Sequence, residues 1–273
     1  MTTPPLAPVT VADLAADLAD EQQALDDIVA PLADDAWSTA TPSPRWTVGD
    51  QIGHLTYFDE TATLAIVDPD GFRSTVERLM DVARSGKDAI DDLTMGDHRQ
   101  LAPSERLAAW RDGCRRLVEA AATLAEDARV PWYGPSMGSK SFLTARLMET
   151  WAHGQDVVDA VSGSRLSTDR LRHIAQLGVI TRRWSYANRR MDAPEVAVDV
   201  ALEAPSGATW TWGHGDATQS VRGPAEDFCL VVTQRRHPND TSLEMAGDSA
   251  RDWMVRAQAF AGPPTDGPGP GSF

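Results

Sequence analysis

The sequence predicts an α+β chain, with a helical bundle at residues 8–190, a small α/β domain at residues 192–262 and a disordered tail at residues 263–273. Three observations carry this reading. Apolar residues recur at helical spacing from Thr10 to about Arg190, the period shortens to two after Pro194, and the final stretch GPPTDGPGPGSF is built of glycine, proline and polar residues. With 273 residues, 42% of them apolar, the chain can bury an ordinary core in one large or two modest domains.

In the bundle, Thr10 with Asp13 gives a capping signal ahead of Leu14, Leu18, Leu25, Ile28, Val29 and Leu32, the inner face of a first helix. Thr47 with Asp50 repeats the signal ahead of Val48, Ile52, Leu55, Phe58 and Ala62, so His54 falls about two turns into a second helix. The turn DPDG then opens a short helix carrying Phe72, Val76, Leu79 and Ala83, read as a flap, and the acidic stretch Asp88 to Asp97 reads as a loop. Ser104, after Pro103, is expected to cap a third long helix whose inner face holds Leu107, Trp110, Cys114, Leu117 and Ala121. The loop Val130 to Ser141, with Trp132, Tyr133 and Met137, is placed to line a site or simply to connect, and it leads into a fourth helix carrying Glu149 and His153. A further helix is expected from Thr168 to about Arg190.

Beyond Pro194, EVAVDVALEA and ATWTWG alternate around the turn residues APSG and predict a hairpin. QSVRG adds a strand, Pro224 stands where a first helical residue would, AEDFCLVVTQRR reads as a helix, and SLEMAGD with SARDWMVRAQAFAG gives another strand and helix.

The chemistry concentrates in WTVGDQIGHLTYFDETA (Trp46 to Ala62) and ARLMETWAHGQDVVDA (Ala145 to Ala160), which offer His54, Glu149 and His153. On a helix, Glu149 and His153 at i, i+4 share a face one turn apart, and three protein ligands would leave a divalent ion an open position, as in catalytic rather than structural zinc sites. Glutamate and histidine at this spacing also occur on helices that bind nothing, so the spacing alone leaves both readings open. The surrounding Trp-Thr-x-x-Asp-x-x-x-His and Arg-x-x-Glu-x-x-x-His-x-x-Asp patterns resemble the DinB-like metal-binding domains, most closely the mycothiol-dependent maleylpyruvate isomerase family, over about residues 8–190. The resemblance implies that His54, Glu149 and His153 hold the metal in a DinB-like four-helix bundle. It also implies, more loosely, a sterol-carrier-like α/β domain after it, and mycothiol as co-substrate in isomerisation of, or sulfur transfer to, a small electrophile. Two histidines and a carboxylate suit zinc, while iron, nickel and manganese stay open.

Other features bound the function. A net charge of −15 argues against nucleic-acid binding, no run approaches the roughly 18 apolar residues of a membrane span, and no basic-then-apolar leader is visible, so a cytoplasmic location is expected. Monomer and homodimer both fit. Cys114 and Cys229 lack metal or redox spacing and read as buried, inert thiols. Dinucleotide-binding, Walker and serine-elbow motifs are absent. His98 reads as exposed loop and His173 as surface or packing. His214, flanked by glycines in TWGHGD, is a candidate to approach substrate. The arginine pairs fit helix ends, but Arg222 and Arg236 are candidates for an anionic-substrate clamp, and Asp156 for an acceptor that orients His153. The alternatives to thiol chemistry are a metal-dependent hydrolase and a non-catalytic metal- or small-ligand-binding protein.

Overall fold

A computed structural model describes residues 9–215 and 217–273 of the protein; the expected domain start at residue 8 lies outside them. The chain divides into two compact units, Met1–Gly163 and Ser164–Phe273.

The first unit is helical. Helix α1 (Val11–Val29) starts at a capping box in which Thr10 Oγ1 accepts the Asp13 N–H and Asp13 accepts the Thr10 N–H, and α2 (Val48–Val67) starts at the same device on Thr47 and Asp50. After α3 (Pro69–Ala83), α4 (Lys87–Arg99) occupies the acidic stretch expected to be loop. Its inward stripe is Asp91, Thr94 and Met95, polar enough to hide the helical period; Asp91 is tied by Arg45 at 2.8 Å. Helix α5 (Pro103–Ala121) begins at Pro103 rather than after Ser104, because Pro103 takes the first helical position and Glu105 accepts the Ala102 N–H at 2.9 Å. The segment that leads to α6 is a small hairpin, β1 (Arg129–Val130) against β2 (Met137–Gly138), and α6 spans Ser139–Ala160. Helices α1, α2, α5 and α6 pack as the four-helix bundle, with α3 and α4 laid on α2. Its core joins Leu25, Val29, Ile52, Leu55, Leu107, Trp110 and Val157.

The second unit begins with α7 (Leu171–Ile180) and α8 (Arg182–Ala187), which break the single helix expected at residues 168–190. At the break, the Thr181 N–H and hydroxyl both bond to the Leu177 carbonyl, at 3.0 and 2.7 Å, and Thr181 itself leaves the helical conformation with ψ of 5°. Strands β3 (Val198–Glu203), β4 (Thr209–Trp212) and β5 (Gln219–Pro224) precede α9 (Ala225–Val232), and β6 (Glu244–Ala246) precedes α10 (Asp248–Arg256). The sheet order is β4-β3-β5-β6. The β3/β4 pair is the expected antiparallel hairpin, β5 runs parallel to β3, and β6 is antiparallel to β5.

Helix α7 packs on α9, so the residues after Gly163 that the sequence placed with the bundle group with the sheet instead. Gly178 permits the approach: a Cβ there would sit 2.9 Å from Phe228 and Val232. Residues 263–273, expected to be a disordered tail, carry no helix or strand and make a few hydrogen bonds. Gln234 Nε2 donates to the Thr265 carbonyl at 2.7 Å, Thr265 Oγ1 returns to Gln234 Oε1 at 2.6 Å, and Gly271 N–H meets Asp240 at 2.8 Å. Among the described residues no helix is long and apolar enough to cross a membrane.

Candidate metal centre

The capping box at Thr47 sets the start and phase of α2, and so turns His54 toward α6. Helix α6 carries Glu149 and His153 one turn apart, held from behind by buried Phe142, Leu143, Leu147 and Trp151. These placements bring His54, Glu149 and His153 together, with one ligand atom from each lying within 4.8 Å of the others. His153 Nε2 is 3.2 Å from Glu149 Oε2, and the two imidazole centroids are 4.5 Å apart. The side chains of Glu149 and His153 are 26% and 11% exposed, so the group is sheltered but open on one side. Burial pushes the Glu149 carboxyl up, but the His153 hydrogen bond and the charges of His153, Arg146 and His54 outweigh it and hold the group down at about 2.

The donor set fits a divalent ion: two imidazoles face an ionised carboxylate in one place. Ligands each about 2.1 Å from a tetrahedral ion lie about 3.4 Å apart, so a separation as wide as 4.8 Å would close by a little over an ångström of side-chain movement.

Around this group stand residues the sequence singled out, Trp132, Tyr133 and Asp156, and others it did not, Gln51, Asp59 and Arg146 among them. Trp46 lies over both histidines, 4.8 Å from the His54 ring and 5.8 Å from the His153 ring, and Phe58 packs on His54 at 4.6 Å. Phe58 continues into an aromatic wall with Phe72, Trp132 and Tyr133, so the β1–β2 hairpin serves the site's surroundings through packing. Arg146, one turn before Glu149, is buried against Asp59 at 2.7 Å. Gln51 Oε1 is 2.6 Å from His153 Nδ1, whereas Asp156, the acceptor the sequence suggested, stands at 3.8 Å and instead accepts the Ser43 hydroxyl at 2.9 Å.

The other singled-out residues have local partners. His98 is not loop: it lies in α4, half-buried against Gly53 of α2, and burial lowers its pKa. In the second unit, Arg222 projects from β5 opposite Glu244 of β6, and Arg236 stacks over the Phe273 ring at 3.9 Å and donates to the Arg235 carbonyl. The glycines beside His214 serve a turn: Gly213 and Gly215 have φ of 98° and 79°, and Asp199 accepts the His214 and Ala217 N–H groups. His173 is half-buried on α7.

A four-helix bundle whose second and fourth long helices converge two histidines and a glutamate, followed by a small mixed-sheet unit, defines a class of two-unit helical-bundle proteins. The chain belongs to the family described by the mycothiol maleylpyruvate isomerase N-terminal domain, whose model matches residues 18–158. The uncharacterised protein Rv0036c of Mycobacterium tuberculosis is 43% identical over 252 residues, covering 92% of this chain and 96% of that one, and its counterpart in a second strain matches equally. Two crystal structures of a mycothiol-dependent maleylpyruvate isomerase, one a histidine-to-alanine mutant, share the fold. Their TM-scores are 0.53 and 0.54 at 15% and 13% identity, over 83% of this chain and 90% of each of those chains.

Proposed function

We propose that the protein is a metal-dependent enzyme that uses mycothiol, or a closely related low-molecular-weight thiol, to isomerise or modify a small electrophile. The observation that carries this reading is the convergence of His54, Glu149 and His153 in a member of the mycothiol maleylpyruvate isomerase family. A divalent ion held by these three would stabilise a thiolate at neutral pH. Zinc suits the set best.

The chain's own groups support an external sulfur. Burial pushes the thiol of Cys114 far above its ordinary range and that of Cys229 well up, which leaves neither as a nucleophile at neutral pH. Glu149 stays ionised and acceptor-only, facing both histidines. Trp46, Phe58 and the aromatic wall beyond them shield the imidazoles from water. In the isomerisation, the thiolate sulfur would bond to one carbon of a conjugated double bond while the π electrons move to the adjoining carbonyl. Rotation about the resulting single bond and expulsion of the same thiolate would restore the double bond in the other geometry, with no net consumption of thiol.

Elemental analysis of untagged protein, purified without added metal, is the first test. A stoichiometric divalent ion in the native protein, lost from His54→Ala, Glu149→Ala and His153→Ala with the fold kept by circular dichroism, is the expected result; metal surviving any two of these changes overturns the site. With metal established, turnover of maleylpyruvate or a related electrophile only when mycothiol is present supports the thiol reading. Thiol-independent hydrolysis of esters or amides would replace it with the hydrolase.

A further inference from the structure

Resting on the metal reading above, the geometry also indicates what prepares His153 to be a ligand. An imidazole gives an ion a lone pair only from its unprotonated nitrogen, so the tautomer decides whether Nε2 can bind. His153 places Nε2 beside Glu149 and Nδ1 2.6 Å from Gln51 Oε1. Gln51 is fully buried, and its other end fixes which way its amide points. Gln51 Nε2 is 2.9 Å from Thr41 Oγ1, and the Thr41 hydroxyl is 2.9 Å from the Trp46 carbonyl. A carbonyl accepts only, so the single Thr41 hydroxyl proton goes to Trp46, and Thr41 is left to accept from Gln51. That requires the amide nitrogen at Thr41 and the amide oxygen at His153. An amide oxygen also accepts only. Nδ1 of His153 therefore carries a proton, and Nε2, which donates to Glu149 when no ion is bound, is the nitrogen whose lone pair an ion would take in place of that proton.

We infer that Gln51 is a positioning residue of the metal centre, the last member of a relay from the Trp46 carbonyl through Thr41 that holds the Nδ1 proton of His153 and so reserves Nε2 for the ion. The relay is pre-built. The Trp46 carbonyl also accepts the Thr41 N–H at 2.8 Å, which closes the loop before α2 into a turn, and the Trp46 ring stacks on the histidine that its own carbonyl helps to orient. Asp156 is not the orienting acceptor, because 3.8 Å exceeds a hydrogen bond and its Oδ2 already receives Ser43.

The test has two readouts on the full chain: affinity for Zn²⁺ and Co²⁺ by chelator competition, and the ¹⁵N shifts of the His153 ring in zinc-loaded protein. Gln51→Ala should weaken both ions roughly 10–100-fold, the usual effect of losing a partner that orients a ligand histidine. Gln51→Glu, which keeps an acceptor, should restore most of that loss, and Thr41→Val should give a smaller loss. The wild-type ring should be Nδ1-protonated with Nε2 on the ion, and that signature should be partly lost in Gln51→Ala and Thr41→Val. Wild-type affinity in Gln51→Ala, a Gln51→Glu variant as weak as Gln51→Ala, or an Nε2–H ring in the wild type overturns the relay. Should Gln51→Ala fail to fold, Thr41→Val decides: unchanged affinity and an unchanged ring signature overturn the relay. A wild-type protein that binds neither ion overturns the metal reading and this role with it. Binding that ignores Gln51 overturns this role alone.

Discussion

Arg146 and Asp59 form an ion pair at 2.7 Å whose side chains are 4% and 0% exposed, one helical turn from a proposed ligand. Burial raises the Asp59 carboxyl, and the attraction and hydrogen bonds of Arg146, with those of Gln22 and Cys114, offset only part of that rise. A pair held at such a cost is more sensitive to losing one member than to losing both. Arg146→Met should therefore destabilise the protein by about 3–5 kcal/mol in urea unfolding, and adding Asp59→Leu should recover much of it; an Arg146→Met variant within about 1 kcal/mol of wild type would show that the pair contributes little. Residues of this kind mark the limit of what the sequence discloses. Glu149 and His153 were legible because one helix sets their distance, and His54 because a family pattern names it. Asp59 and Arg146 stand in the same two segments, but their pairing joins separate helices, and no local spacing encodes it. Gln51 was less visible still: a glutamine on a helix is ordinary until the loop from Thr41 to Trp46 folds over it.

The elements that present the site depend on their ends. Asp50 accepts the Thr47 N–H at 2.9 Å, gives its own N–H to Thr47 Oγ1 at 3.2 Å, and takes Arg99 of α4 at 2.7 Å, so one carboxylate caps α2 and ties α4 to it. Burial alone would raise Asp50, but the hydrogen bonds from Arg99 and Thr47 outweigh it, and its pKa falls below the ordinary 3.8. A carboxyl lowered by folding contributes stability that is fully present above its unfolded value and is lost as pH falls through the folded one. Asp50→Ala should cost about 1–2 kcal/mol at pH 7, and the gap to wild type in thermal or urea unfolding should hold through neutral and mildly acidic pH, then shrink below 3.8. A gap that stays constant down to pH 2 would locate the effect outside the charge. Both capping boxes were readable because the signal lies within four residues. Helix α4 was not, since its buried stripe includes an aspartate paired to Arg45, and the break at Thr181 was not, since the helical spacing of apolar residues continues across it.

For the molecule as a whole, the open question is where one folding unit stops. Helical periodicity runs on past residue 163, so the sequence assigned everything to residue 190 to the bundle; packing assigns α7 to the sheet unit through Leu171, Ile174, Ala175 and Gly178. Periodicity reports that a helix has an apolar face and says nothing about which neighbour covers it. All three proposed ligands, the Gln51 relay and the bundle core lie within Met1–Gly163. A fragment ending at Gly163 should therefore fold cooperatively and take up metal as the full chain does. A fragment ending at residue 190 carries the apolar face of α7 without α9, leaving Leu171, Ile174 and Leu177 uncovered at a penalty on the order of 5 kcal/mol, and should aggregate or lose that helix to protease. Size-exclusion chromatography with metal analysis of the two fragments separates the cases. If the longer fragment is the well-behaved one and the shorter fails to fold, α7 and α8 stabilise the bundle and the domain boundary belongs near residue 190 after all.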